Sequence, residues 1–159
     1  METVYSNIKA FILSALSDYL TDLQDDETPL NAPAENEIIF GVADLTRYEN
    51  KLLCVITPDY QEETDGTIGS VNMRTSCTVS FLCRGYKYEV LMRQMCRYAI
   101  AFRRAVQNDY TLAGGFQNSA IEQIDFFADA GTTEKQMTAC EIALTVEQVE
   151  NINNDSEEW

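Results

Sequence analysis

The sequence predicts an α+β fold: an antiparallel β-sheet of about five strands, in the order α-β-β-β-α-β-β, with two helices packed on one face and a projecting β-hairpin. Three observations predict it. Residues 72–84 alternate polar and apolar without a break, two stretches carry apolar residues at helical spacing, and two pairs of shorter β-rich runs complete the pattern.

Residues 3–24 form the first helix, because Val4, Ile8, Phe11, Ile12, Ala15, Leu16, Tyr19, Leu20 and Leu23 recur at spacings that place them on one helical face. The segment that follows carries Asp22, Asp25, Asp26, Glu27, Glu35 and Glu37 together with Pro29 and Pro33. Proline lacks the N–H that a helix interior needs, so this acidic segment reads as a connector.

Residues 37–42 and 52–57 are short β-rich runs separated by the polar residues 44–51. They predict a hairpin with a longer loop, with Pro58 ending its second strand. The long alternating run is the third strand. Val71, Met73, Thr75, Cys77, Val79, Phe81 and Cys83 point to one side, and Asn72, Arg74, Ser76, Thr78, Ser80, Leu82 and Arg84 to the other, which predicts one buried face and one wetted face. At roughly 3.3 Å per residue the run spans about 40 Å. It therefore outreaches its predicted neighbour, and its first half is expected to leave the core as an arm that needs a sheet partner or another subunit.

The second helix spans residues 86–107, where Leu91, Met95, Tyr98, Phe102, Ala105 and Val106 share one face and Arg93, Arg97 and Arg104 the opposite one. Gly114 and Gly115 break the chain. Residues 120–128 alternate through Ile124 and Phe126, and residues 138–149 through Cys140, Ile142, Leu144 and Val146, with a turn around Gly131 between them. This is a closing hairpin. One domain is expected over residues 1–149, followed by an acidic flexible tail over 150–159.

The 26 acidic residues against 11 basic ones give a formal charge of −15, with an isoelectric point near 4.2. Such a chain repels DNA and anionic membrane at long range. No apolar run approaches the length of a membrane span, and Glu2 without a basic flank argues against a signal peptide, so a soluble protein that stays where it is made is expected. The five cysteines are odd in number and never form a C-x-x-C pair. They read as reduced core residues in a reducing compartment, not as metal ligands.

The chain contains no histidine, which removes Ser-His-Asp and Cys-His catalysis and the usual neutral metal ligand. No phosphate-binding glycine motif occurs, and Gly114-Gly115 follows a helix where such loops precede one, so a helix cap or loop is expected there. Glu62 with Glu63, and Asp25 with Asp26, are adjacent in sequence and cannot flank a bond as paired catalytic carboxylates do. The acids around Gly66 lack the spacing of a calcium loop. No catalytic residue, cofactor or metal is expected, and the protein is read as not an enzyme.

Arg84, Lys87, Arg93, Arg97, Arg103 and Arg104 hold six of the eleven basic residues. Three readings fit them: pairing with the chain's own surplus carboxylates, a subunit interface that meets an acidic loop of a neighbour, or DNA contact. The candidate interface residues are Arg74, Arg84, Arg93, Arg97 and Arg104 on the basic side, and Glu62, Glu63 and Asp65 on the acidic side. Two complementary patches on one polypeptide suit a head-to-tail ring.

The order of elements resembles that of the bacteriophage tail terminator and tail-completion (head-tail joining) proteins. The resemblance is carried by residues 8–13 (IKAFIL), by residues 78–85 (TVSFLCRG) leading into the second helix, and by residues 121–127 followed by 139–146 (ACEIALTV). It covers residues 1–149 and is one of pattern, without a diagnostic motif. It implies a non-enzymatic virion protein that forms a ring, a hexamer in that family, caps the tail tube and meets the head connector, while DNA passes through the channel without specific binding. It also implies assembly in the host cytoplasm followed by residence in the virion neck or tail. The rival reading, motivated by the charge, is an acidic DNA-mimic or regulatory inhibitor that binds a host nucleic-acid enzyme. A small enzyme using carboxylates and tyrosine is the third.

Overall fold

A computed structural model describes residues 2–41, 52–64, 66, 69–85, 87–129 and 136–151. The two helical periodicities fold as read: α1 spans Glu2–Leu23 and α2 spans Tyr88–Asn108. The strands are β1 (Ile38–Phe40), β2 (Leu52–Thr64), β3 (Ser70–Gly85), β4 (Asn118–Asp129) and β5 (Gln136–Asn151). They form one sheet in the order β1-β2-β3-β5-β4. The fold is thus α+β, with a mostly antiparallel five-stranded sheet and two helices.

Both helices bury their apolar stripes against one face of the sheet. Ile8, Phe11, Ile12 and Leu16 of α1, together with Met95, Tyr98 and Phe102 of α2, enclose Cys54, Val79, Phe81, Cys140 and Ile142 in one core. Phe81 is the centre: it is fully buried, stacked on Tyr98 with ring centroids 5.4 Å apart and edge-on to Phe102 at 6.0 Å. The Tyr98 hydroxyl donates to the Asn31 carbonyl at 2.7 Å and accepts from the Asn31 N–H at 3.2 Å, which ties the connector to α2.

Four of the cysteines, Cys54, Cys77, Cys83 and Cys140, are buried in this core, and Cys96 is exposed on α2. Burial raises all four core thiols, with Cys77, Cys83 and Cys140 pushed up to about 12. They behave as small apolar residues.

Four expectations need correction. The predicted hairpin of the first two strands does not form, because β1 runs parallel to β2, with Ile38 opposite Cys54 and Phe40 opposite Ile56. Alternation of side chains reports which face is buried but not which way a strand points. Parallel neighbours need a crossover connection, and the polar residues 44–51 fall outside the described residues.

Pro58 does not end β2, which continues to Thr64. At Pro58 the strand has passed the end of β1 and meets a bulge at Asp59, and edges and bulges both tolerate a missing N–H.

The third correction concerns β3. It is not left without a partner: β2 pairs it on one side as far as Asn72, and β5 pairs it on the other from Ser70 to Gly85. The projection is accordingly three strands wide and not a hairpin alone. It leaves the helix layer beyond Thr75 and Val146, both buried, and extends through residues 61–64, 70–74 and 147–151, roughly 15 Å of strand. β5 also takes in the first two residues assigned to the tail; residues 152–159 lie outside the described residues, as does the turn around Gly131.

The fourth concerns the outer face, which is not wetted throughout. Leu53, Val55, Leu82 and Ala139 form a second, smaller buried cluster there, with Ile39 and Met137 against it.

After α2 the Asp109 carboxylate accepts from the Thr111 N–H at 3.2 Å, the Thr111 hydroxyl at 2.6 Å and the Ala113 N–H at 2.8 Å. These bonds hold Leu112, Ala113 and Gly114 at positive φ, of which Gly114 alone adopts that conformation without strain. Leu112 is nevertheless fully buried, so its place in the core offsets a backbone cost of order 1 kcal/mol. The Gly114-Gly115 pair is therefore part of a tight turn.

Candidate subunit interface

Period-two alternation puts Arg74 on the outer face of β3, and the pairing register sets Glu62 of β2 and Glu147 of β5 directly beside it. Its guanidinium lies 3.3 Å from the Glu62 carboxylate and 3.1 Å from that of Glu147. The Glu147 carboxylate, which accepts a hydrogen bond from it, raises the Arg74 pKa further. This row forms one wall of an open concavity of about 490 Å³, whose lining also includes Tyr60, Glu122 and Thr145. Glu63 faces the opposite way, on the helix side of the arm, where it is exposed and sits directly across from Met73.

The basic stripe of α2 divides in two. Arg93 reaches Glu89 one turn back at 2.8 Å and Glu27 of the connector at 3.4 Å. Arg97 pairs with Asp25 at 3.0 Å, and this guanidinium holds the Asp25 carboxyl below its usual value, helped by the Thr28 N–H. The acidic connector thus lies against α2 and meets these two arginines within one subunit. Arg103 and Arg104 are exposed and have no carboxylate partner among the described residues.

Of the sequence-predicted residues, the structure brings together Arg74 with Glu62 and leaves Glu63 and Arg104 exposed to solvent. It ties Arg93 and Arg97 to their own chain. Arg84, next to the last residue of β3, lies on the outer face opposite Met137, away from the Arg74 row. Asp65 lies outside the described residues.

Sequence reasoning missed the edge of the sheet. β4 is the last strand, and its outer edge carries no strand partner among the described residues. Phe126 and Phe127 stand near its end, 46% and 50% exposed, on opposite faces. Between α2 and β4 runs an apolar groove lined by Cys96, Ala99, Ile100, Arg103, Ile124 and Phe126. An unpaired strand flanked by exposed aromatics is a template for pairing that proteins ordinarily blunt. The bulge at Glu122 and the charge of Asp125 blunt the strand ahead of the two phenylalanines but leave their side chains exposed. The signal was present in sequence: Phe127 breaks the alternation that Ile124 and Phe126 establish, so one aromatic must face outward.

Among the described residues no three Asp, Glu or Cys side chains gather as metal ligands would. No described helix is long and apolar enough to cross a membrane. The chain matches no protein-family model and no curated protein.

Proposed function

We propose that the protein is a non-enzymatic structural virion subunit of a bacteriophage, a tail terminator or tail-completion protein that forms a ring, caps the tail tube and joins it to the head connector. One observation carries this reading. Among the described residues a single subunit presents two unlike surfaces without a cover, the β4 edge with Phe126 and Phe127 and the acidic arm that leaves the helix layer. Unlike surfaces that bind one another make heterologous contacts, and such contacts generate a ring when the rotation closes.

The charge fits the same job. A channel formed by subunits of charge −15 repels the phosphate backbone, so DNA passes through without adhering. In this reading the subunit, a hexamer member by resemblance, assembles in the host cytoplasm and remains in the virion. The test is a capping assay: tube protein from the same genome is polymerised with and without the chain. Tubes that stop growing and carry density at one end support the reading; unchanged growth and bare ends overturn it.

One observation favours the rival. On the outer face Asp125 stands directly opposite Glu141, an acid pair on a rigid sheet where a DNA mimic would place its charges. Capture of a nucleic-acid enzyme that high salt releases, with no effect on tubes, is the outcome that reading requires.

A further inference from the structure

The arm and the groove between α2 and β4 are built alike with opposite charge. In the groove, Ile124 and Phe126 of β4 face Ala99 and Ile100 of α2, and Arg103 closes one side with no carboxylate partner among the described residues. On the helix side of the arm, Glu63, Met73 and Gln148 form one row across three strands. Glu63 is exposed and has no cationic partner among the described residues, while Met73 beside it is only half-buried.

We infer that the groove receives the arm of a second copy of this chain, with Met73 seated against Ile124 and Phe126 and Glu63 paired with Arg103. Three physical points support that occupant. An apolar centre rimmed by one unpaired cation selects an apolar partner rimmed by one anion. A protein of charge −15 offers few other cations for Glu63, since Arg74, Arg93 and Arg97 are engaged by its own carboxylates. And the two surfaces lie on different parts of the subunit, so each copy can give an arm and receive one. The inference rests on the ring reading above and deepens it, because it names the contact that would build the ring.

Cys96 lines the groove and is the exposed cysteine of the five, so it reports occupancy directly. The experiment mixes the natural chain with a tagged chain carrying Cys96→Ser and Gln148→Cys, then oxidises mildly. The expected product is a disulfide between one tagged and one untagged chain. Arg103→Glu in the untagged chain should lower its yield about tenfold, because it sets like charges against each other, and Glu63→Arg in the tagged chain should restore it. Homodimers alone, or a mixed dimer indifferent to both reversals, overturn the inference. If light scattering shows an assembly while the mixed dimer fails to form, this contact is wrong and the ring reading stands. If the chain stays monomeric throughout, both fall.

Discussion

The Arg97 guanidinium lies 3.0 Å from the Asp25 carboxylate, and this pair fastens the acidic connector onto the second helix. Asp25 also accepts from the Thr28 N–H at 2.7 Å and the Glu27 N–H at 3.0 Å, so one carboxylate both shapes the turn and anchors it. With the Arg93–Glu27 pair beside it, it redirects two candidate interface residues, Arg93 and Arg97, into the subunit itself. It leaves Arg103 and Arg104 as the exposed remainder of the stripe.

Asp25 gives a pH prediction. Its folded pKa is held below the reference of 3.8, by Arg97 first and by the Thr28 N–H next. A depressed carboxyl contributes stability that is fully present above its unfolded value and is lost as pH falls through the folded one. Amide protection factors at Glu27 and Thr28 should therefore hold from neutral pH down to about pH 4 and collapse below it. Asp25→Asn should lower them already at pH 7. Equal protection at pH 7 and pH 3 would contradict the anchor.

Arg74 predicts an asymmetry. Replacing it with Met leaves Glu62 and Glu147 on either side of β3 with no cation between them, and the expected effect is a small loss of stability, as for other exposed pairs. Glu62→Gln should cost less, because Arg74 keeps its closer partner Glu147. Urea denaturation of the two variants decides the order, and it should be reduced by salt. A larger loss in Glu62→Gln would contradict the geometry.

Phe81→Ala should be among the most damaging changes in the chain. The ring is fully buried between Tyr98 and Phe102, so its removal costs about 3–5 kcal/mol, which thermal unfolding reads as a large drop in Tm. A change under about 1 kcal/mol would place Phe81 at the surface and invalidate the core.

The cysteines predict a count. A thiol reagent at pH 8 should modify Cys96 promptly in the folded protein, because the other four are buried and their thiols are held in the unreactive protonated form. Mass spectrometry should show one adduct before denaturation and five after. Two or more rapid adducts would contradict the packing of Cys54, Cys77, Cys83 and Cys140.

Local periodicity made most of this fold legible. The stripe from Val4 to Leu23, the stripe from Leu91 to Val106 and the alternation through Val79 and Phe81 each mark a buried face, and burial dominates the choice of local structure. Direction and pairing were not legible. Ile38–Phe40 reads as β-rich whether it runs with β2 or against it, and Pro58 reads as a stop unless a bulge lies beside it and β1 has already ended. The site divides in the same way. Arg93 and Arg97 announced a basic face, but their partners Glu27 and Asp25 lie three strands away in sequence, where spacing carries no information. The groove beside Phe126 needs α2 and β4 to be neighbours, a fact that belongs to topology.

The account stands on the claim that the subunit's open edge and its arm are made for other copies of itself. Light scattering coupled to size-exclusion chromatography, run on the full chain over a range of concentration and salt, measures this most directly. The account predicts a discrete closed assembly several-fold heavier than the 18.0 kDa subunit, dissociating as salt rises. A species of 18.0 kDa at every concentration and salt would contradict it.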